Sequence, residues 1–174
     1  LASKMYLNDK EELHRDNEPA IIRYYEDGSI RAEYWYQDGN KRRTSSSPSE
    51  GGKEGKEDLP TVIKYYEDGT IKLKTWYQDG KKHRGSSFLP LSEEGGEKED
   101  LPAKIEYHED GSIKYKYWYQ KGKIHRTSDK PAFIEYRING TIEMEWWYQK
   151  GKFHRDGDLP ARIKYNKNGK ILSE

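Results

Sequence analysis

The amino-acid sequence predicts an all-β fold, an antiparallel β-meander of tandem β-hairpin repeats forming an elongated or open twisted sheet. Three observations predict it. A gapless self-similarity recurs through the chain, apolar residues alternate with period two, and Gly interrupts every segment long enough to form a helix. The expected content is about two strands per 29-residue repeat and roughly ten strands in all.

The repeats start at Pro19, Pro60, Pro102 and Pro131, with a fifth start at Pro160. Each of the four reaches a Gly at one offset (Gly28, Gly69, Gly111, Gly140), then a Trp-Tyr-Gln triplet led by Trp35, Trp76, Trp118 or Trp147. A second Gly follows (Gly39, Gly80, Gly122, Gly151), and a basic pair closes the repeat: Arg42-Arg43, His83-Arg84, His125-Arg126 or His154-Arg155. The starting prolines are 41, 42, 29 and 29 residues apart, so the first two intervals carry inserts of 12 and 13 residues. Both inserts fall between the basic pair and the next proline, and their Ser, Gly, Glu and Lys content suits flexible loops. The expected layout is one array over residues 1–174: a partial repeat (1–18), repeat 1 (19–43), an insert (44–58), repeat 2 (60–84), an insert (85–100), repeat 3 (102–126), repeat 4 (131–155) and a partial fifth repeat (160–174). Residues Met5-Tyr6 through His14-Arg15 resemble the closing half of a repeat.

Within a repeat, Ala20, Ile22 and Tyr24 and their equivalents alternate with variable residues, as a strand with one regular face does. Asp27-Gly28, Asp68-Gly69, Asp110-Gly111, Asn139-Gly140 and Asn168-Gly169 supply the positive φ of hairpin turns. In the second strand, Ile30, Ala32, Tyr34 and Tyr36 are expected to share a face opposite Arg31, Glu33 and Trp35; in repeat 4 the sets are Ile142, Met144, Trp146 and Tyr148 against Glu143, Glu145 and Trp147. Cross-strand charge then places Lys114 and Lys116 around Glu135, and Glu143 and Glu145 opposite Arg162 and Lys164.

Composition bounds function. Charged residues are 36% and apolar ones 32%, yet 15 Tyr, 5 Trp and 3 Phe argue for folding. Net charge is +1, so no global field draws the chain to nucleic acid, and no nucleic-acid partner is expected. With no Cys there is neither a disulfide framework nor a cysteine nucleophile. No apolar run reaches the ~20 residues of a membrane span, and no signal-peptide pattern opens the chain, which favours a virion or the cytoplasm.

The motif Trp-Tyr-x-x-Gly-Lys-x-His-Arg followed by Asp-x-Pro-Ala, clearest from Trp118 to Arg126 and from Trp147 to Ala161, resembles the MORN-type repeats, in the variant form found in giant DNA viruses and bacteria. The resemblance covers nearly everything but the inserts. It implies an elongated antiparallel β array used for assembly or membrane-associated scaffolding. Arg42 departs from the His of the other repeats, as do the long inserts.

Candidate sites are each weighed against a structural role. Trp35, Trp76, Trp118 and Trp147, with Tyr36, Tyr77, Tyr119 and Tyr148, are expected to form an interaction ladder if the strand is regular. An exposed row would stack on sugars or anchor at lipid headgroups; a bulge or curl would bury it as core, which is the stronger expectation. His83, His125 and His154, like Gly28, Gly69, Gly111 and Gly140, suit a structural role, because equivalent positions ~9.6 Å apart cannot share one metal ion. His154-Arg155-Asp156 lacks every companion motif of a kinase, the Glu-Asp-Gly turns lack a calcium loop, and Ser45 to Ser47 before Pro48 suit a flexible loop as well as phosphorylation. Catalytic residues, metal and cofactor are all expected to be none. The expected function is a non-catalytic scaffold for protein–protein interaction or assembly, such as a structural component of a viral particle, with a protein partner or second copy at sheet edges or array ends. The alternative is a glycan- or lipid-headgroup-binding module.

Overall fold

The computed structural model describes residues 2–43, 59–85 and 100–173. Most of both inserts, including Ser45 to Ser47, lies outside the described residues. The fold is an all-β antiparallel meander of hairpins, and the chain divides into two compact units, residues 1–80 and 81–174.

The N-terminal unit holds β1 (Ser3–Met5), β2 (Ile21–Tyr24), β3 (Ile30–Tyr34), β4 (Tyr36–Gln37), β5 (Asn40–Lys41), β6 (Val62–Tyr65), β7 (Ile71–Thr75) and β8 (Tyr77–Gln78). Its sheet runs β1-β2-β3-β6-β7. The C-terminal unit holds β9 (Lys81–Lys82), β10 (Lys104–Tyr107), β11 (Ile113–Tyr117), β12 (Tyr119–Gln120), β13 (Lys123–Ile124), β14 (Phe133–Tyr136), β15 (Ile142–Trp146), β16 (Tyr148–Gln149), β17 (Lys152–Phe153), β18 (Arg162–Tyr165) and β19 (Ile171–Ser173). Its sheet runs β10-β11-β14-β15-β18-β19. Each complete repeat thus gives two sheet strands, as expected, and repeats 1, 3 and 4 each add a second, very short hairpin outside the sheet: β4–β5, β12–β13 and β16–β17. These short hairpins are called clips below.

The two turns of a repeat differ in kind. The first is closed by Tyr25 N–H to the Ser29 carbonyl (2.9 Å) and Gly28 N–H to the Tyr25 carbonyl (3.1 Å), with Gly28 at φ +89°. Asp27 Oδ1 accepts from the backbone N–H and the hydroxyl of Ser29, at 2.8 and 2.7 Å, and these bonds hold the Asp27 carboxyl below its usual pKa. The second turn has positive φ at both central residues, Asp38 (46°) and Gly39 (73°), the form that matches strand twist. In repeats 3 and 4 the first central residue is Lys121 (φ 49°) or Lys150 (φ 50°), a residue poorly suited to that region. Lys121→Asn is therefore expected to stabilise the protein by up to about 1 kcal/mol, read as a higher urea midpoint at unchanged slope.

The register corrects two expectations. In every first hairpin a bulge lets one strand slip: Tyr24 pairs Ile30 but Arg23 pairs Ala32, and Tyr136 pairs Ile142 but Glu135 pairs Met144. Directly opposed residues share a face. Ile30 therefore lies on the Ile22–Tyr24 face while Ala32 and Tyr34 lie on the other, so these residues do not form one row. The opposition Lys116↔Ile134 likewise takes Lys116 off the Glu135 face, and Glu145↔Ile163 takes Glu145 off the Arg162–Lys164 face. The charge pairs read from sequence do not form, because pairing shifted by one residue moves every side chain to the opposite face.

The regular face carries the main core. In the C-terminal unit Trp118, Ala132 and Ile134 are buried together, with Ile124, Tyr136, Ile142 and Tyr148 packed against them. Charged residues opposite the isoleucines reach the next hairpin's tyrosine: Tyr65 Oη donates to Glu33 (2.6 Å), Tyr165 Oη donates to Glu145 (2.7 Å), and the Lys116 ammonium lies 5.4 Å from the Tyr136 ring centre. Burial, then the hydrogen bond to Glu145, pushes the Tyr165 pKa up to about 12, and burial with the Glu33 bond raises that of Tyr65 further. A raised phenol pKa stabilises the fold fully below pH ~10 and loses that contribution as pH rises through the folded value. Melting temperature is expected to fall between pH ~10 and 12, and Glu145→Gln is expected to bring Tyr165 ionisation to lower pH in a 295-nm titration.

Candidate functional site

The residues that recur most strictly meet where one repeat joins the next. At Trp118 the chain leaves the sheet ladder and enters the clip. The Trp118 N–H donates to the Ala132 carbonyl of the following repeat (2.9 Å), and the His125 N–H returns to the Trp118 carbonyl (3.0 Å), closing the clip. The indole Nε1 donates to the Asp100 carbonyl (2.8 Å). The Arg126 guanidinium lies 3.8 Å from the indole ring centre and donates through Nη1 to the Pro131 carbonyl (3.2 Å). The same joint recurs with Trp147, Arg155 and Ala161, where Trp147 N–H meets the Ala161 carbonyl at 2.8 Å and Arg155 stacks at 3.9 Å. Repeat 1 uses Trp35, Arg43 and Thr61, and the partial N-terminal repeat uses Tyr6, Arg15 and Ala20.

This geometry overturns the exposed tryptophan ladder. Trp35, Trp76, Trp118 and Trp147 are only 4–6% exposed. Each indole stands two residues beyond Glu33, Lys74, Lys116 or Glu145, which the bulge of the first hairpin carries onto the isoleucine face, so continued alternation places the Trp side chain on the regular, buried face. The joint also explains why Ala or Thr begins each first strand: Ala20, Ala103 and Ala132 have no exposed surface, and a larger side chain has no room there. Tyr36, Tyr77, Tyr119 and Tyr148 are half-buried on the clips. The Lys41 ammonium lies 5.9 Å from the Tyr36 ring centre and 4.7 Å from that of Tyr77, Lys82 lies 5.1 Å from Tyr119, and Phe153 stacks on Tyr148 at 4.3 Å.

Two histidines link successive clips. His14 Nδ1 accepts from the Asp38 N–H (3.1 Å), and His125 Nδ1 from the Lys150 N–H (3.3 Å). His83 Nδ1, at the equivalent position, is buried without a hydrogen-bond partner among the described residues, and His154 bonds Asp156 of its own repeat. Turn glycines make the same connection by backbone: Gly39 N–H to the Leu13 carbonyl (3.0 Å), Gly122 to Lys82 (3.0 Å) and Gly151 to Ile124 (2.9 Å). Arg42 keeps the backbone bond to Trp35 (3.2 Å), which needs no imidazole, so the clip of repeat 1 closes without a histidine. The first-turn glycines Gly69, Gly111 and Gly140 repeat the Gly28 conformation at φ +80 to +83°.

One shallow cleft of about 240 Å³ lies beside the last full joint, lined among others by His125, Asp129, Trp147, Gln149, His154 and Asp156. His154 Nε2 sits 2.8 Å from Asp156 Oδ1, and Gln149 donates to the other carboxylate oxygen (3.3 Å). Arg155 clasps Asp129 with three bonds of 3.1–3.3 Å. Among the described residues no serine or threonine hydroxyl bonds to His154, and no group of three or more His, Cys, Asp or Glu is placed to hold a metal ion. The Arg-to-proline-carbonyl bond was hidden in the sequence, although the basic pair and the downstream Pro recur together.

Fold and joint together define a β-hairpin repeat protein whose recurring residues fasten each repeat to its neighbour. No protein-family model matches the chain, and neither does any curated protein or solved structure.

Proposed function

We propose that the chain is a non-catalytic β-repeat scaffold of MORN-type character that mediates protein–protein interaction or assembly, as a structural component of a larger particle. One observation carries this reading: the Trp and Arg of repeats 1, 3 and 4 are engaged at the joint with the following repeat. Side chains with catalytic or ligand-stacking chemistry are thereby engaged inside the fold, and the variable strand positions and clip tips remain to meet a partner. The burial of all four tryptophans favours this reading over a glycan or lipid module built on that row.

Isolation of the tagged chain from cells that express it, followed by size-exclusion chromatography with light scattering, tests the proposal. A complex of defined stoichiometry, with a second copy or a foreign protein, is the expected result. A single-copy mass in every preparation, with no stoichiometric companion, would overturn it.

A further inference from the structure

The near-zero net charge conceals a pattern within the repeat: lysines recur on the clips, and carboxylates recur in the first turns, Glu109-Asp110 of the C-terminal unit included. Both second turns of the C-terminal unit carry lysine, Lys121 and Lys123 around Gly122 and Lys150 and Lys152 around Gly151, and Lys81 and Lys82 form β9. These clips are fastened side by side. Gly122 N–H bonds to the Lys82 carbonyl, Gly151 N–H bonds to the Ile124 carbonyl, and a Cβ placed on Gly122 would stand 3.5 Å from Lys81 Cβ. Lys81, Lys121, Lys123, Lys150 and Lys152 are exposed, and none of their ammonium groups has an ion pair among the described residues. The carboxylates of Asp129 and Asp156 are held by Arg155 and by His154 with Gln149.

The first turns of the N-terminal unit carry the opposite charge. Glu26-Asp27 and Glu67-Asp68 cap the hairpins β2–β3 and β6–β7, and all four residues are exposed. Asp27 and Asp68 are occupied in holding their own loops through Ser29 and Thr70. The carboxylates of Glu26 and Glu67 have no partner among the described residues. Successive acidic turns are two strands apart, roughly 9.6 Å, and the lysine clips recur with the same two-strand period.

We propose that the lysine-bearing clips of one copy dock against the acidic first turns of a second copy of this chain. The inference rests on the scaffold reading above and names its partner. Its basis is complementary charge on two exposed rows of equal pitch, and a net charge of +1 adds little long-range repulsion between copies.

Sedimentation of the full chain across ionic strength, with two charge-reversed variants, tests it. The chain should sediment at two-copy mass or more in ~20 mM salt and at single-copy mass in ~0.5 M salt, where charges are screened within a few ångströms. Lys121→Glu/Lys123→Glu/Lys150→Glu/Lys152→Glu and, separately, Glu26→Lys/Glu67→Lys should each remain single copies in low salt. An equimolar mixture of the two should recover the complex, which misfolding of either variant would not produce; circular dichroism confirms their folding. Overturning results are association untouched by both reversals, failure of the mixture to associate, or a single-copy wild type in low salt. A single-copy chain whose lysine row captures a single-stranded oligonucleotide would also overturn the inference and assign the row to a polyanion. A single-copy wild type that still carries a stoichiometric foreign partner overturns this inference alone; without any partner, the scaffold reading falls too.

Discussion

Trp118→Ala is expected to destabilise the protein by about 3–5 kcal/mol, the range for removing a buried aromatic from a packed site. The indole is 4% exposed and packs with Ala132 and Ile134. Its loss opens a cavity that the hydrogen-bonded clip cannot easily collapse into, since Trp118 N–H and carbonyl are both fixed by backbone bonds. It also strips the Asp100 carbonyl of its Nε1–H donor and the Arg126 guanidinium of its stacking surface. Trp118→Phe keeps much of the apolar volume but loses the donor, and is expected to cost about 1–3 kcal/mol. Repeat arrays draw stability from repeat and neighbour-interface terms. Amide exchange should therefore accelerate most in β11 to β14, and a urea titration should show the lowered midpoint. A loss below about 1 kcal/mol for Trp118→Ala would show that the joint does not hold the repeats together.

Phe133→Ala is expected to cost a similar 3–5 kcal/mol, for a reason that does not repeat along the chain. Phe133 is 4% exposed on the variable face, opposite Tyr117 on one side and Trp146 on the other. Its ring lies 5.0 Å from that of Tyr117, 5.7 Å from Tyr115 and 4.4 Å from Trp146, and the cluster continues through Phe153 at 5.9 Å from Trp146. Phe133→Leu retains most of the volume and forfeits ring–ring contacts worth ~0.5–1.5 kcal/mol each, so its cost should be intermediate. At the corresponding place in repeat 2, Val62 lies between Tyr34 and Thr75, and Val62→Ala removes less apolar surface. Ranking these three by denaturation midpoint separates an aromatic cluster confined to the C-terminal unit from a core shared equally by all repeats.

Much of the fold was legible before any coordinate. Pro-to-Gly spacing and Asp-Gly or Asn-Gly pairs located the hairpins, because a turn requiring positive φ accepts few residues. The alternation of Ala20, Ile22 and Tyr24 identified the regular face, because strand side chains alternate in any context. The Trp-Tyr-Gln triplet left exposure and burial both open, because period-two alternation presumes a strand without a bulge. The bulge in each first hairpin changes no composition, and it decides whether an indole is exposed or buried. The cross-strand charge pairs failed for a related reason: a one-residue bulge after Arg23 or Glu135 leaves no trace in the repeat pattern.

The sequence by itself determined the all-β meander, the repeat length, the turn positions and the single place that accepts inserts, all of which follow from local backbone preference and side-chain period. Only the tertiary structure decided register, the burial of the tryptophans beneath arginine, and the linking of clips through histidine and glycine. These depend on which residues of distant segments face each other, and a repeating pattern fits two registers equally well until a bulge selects one.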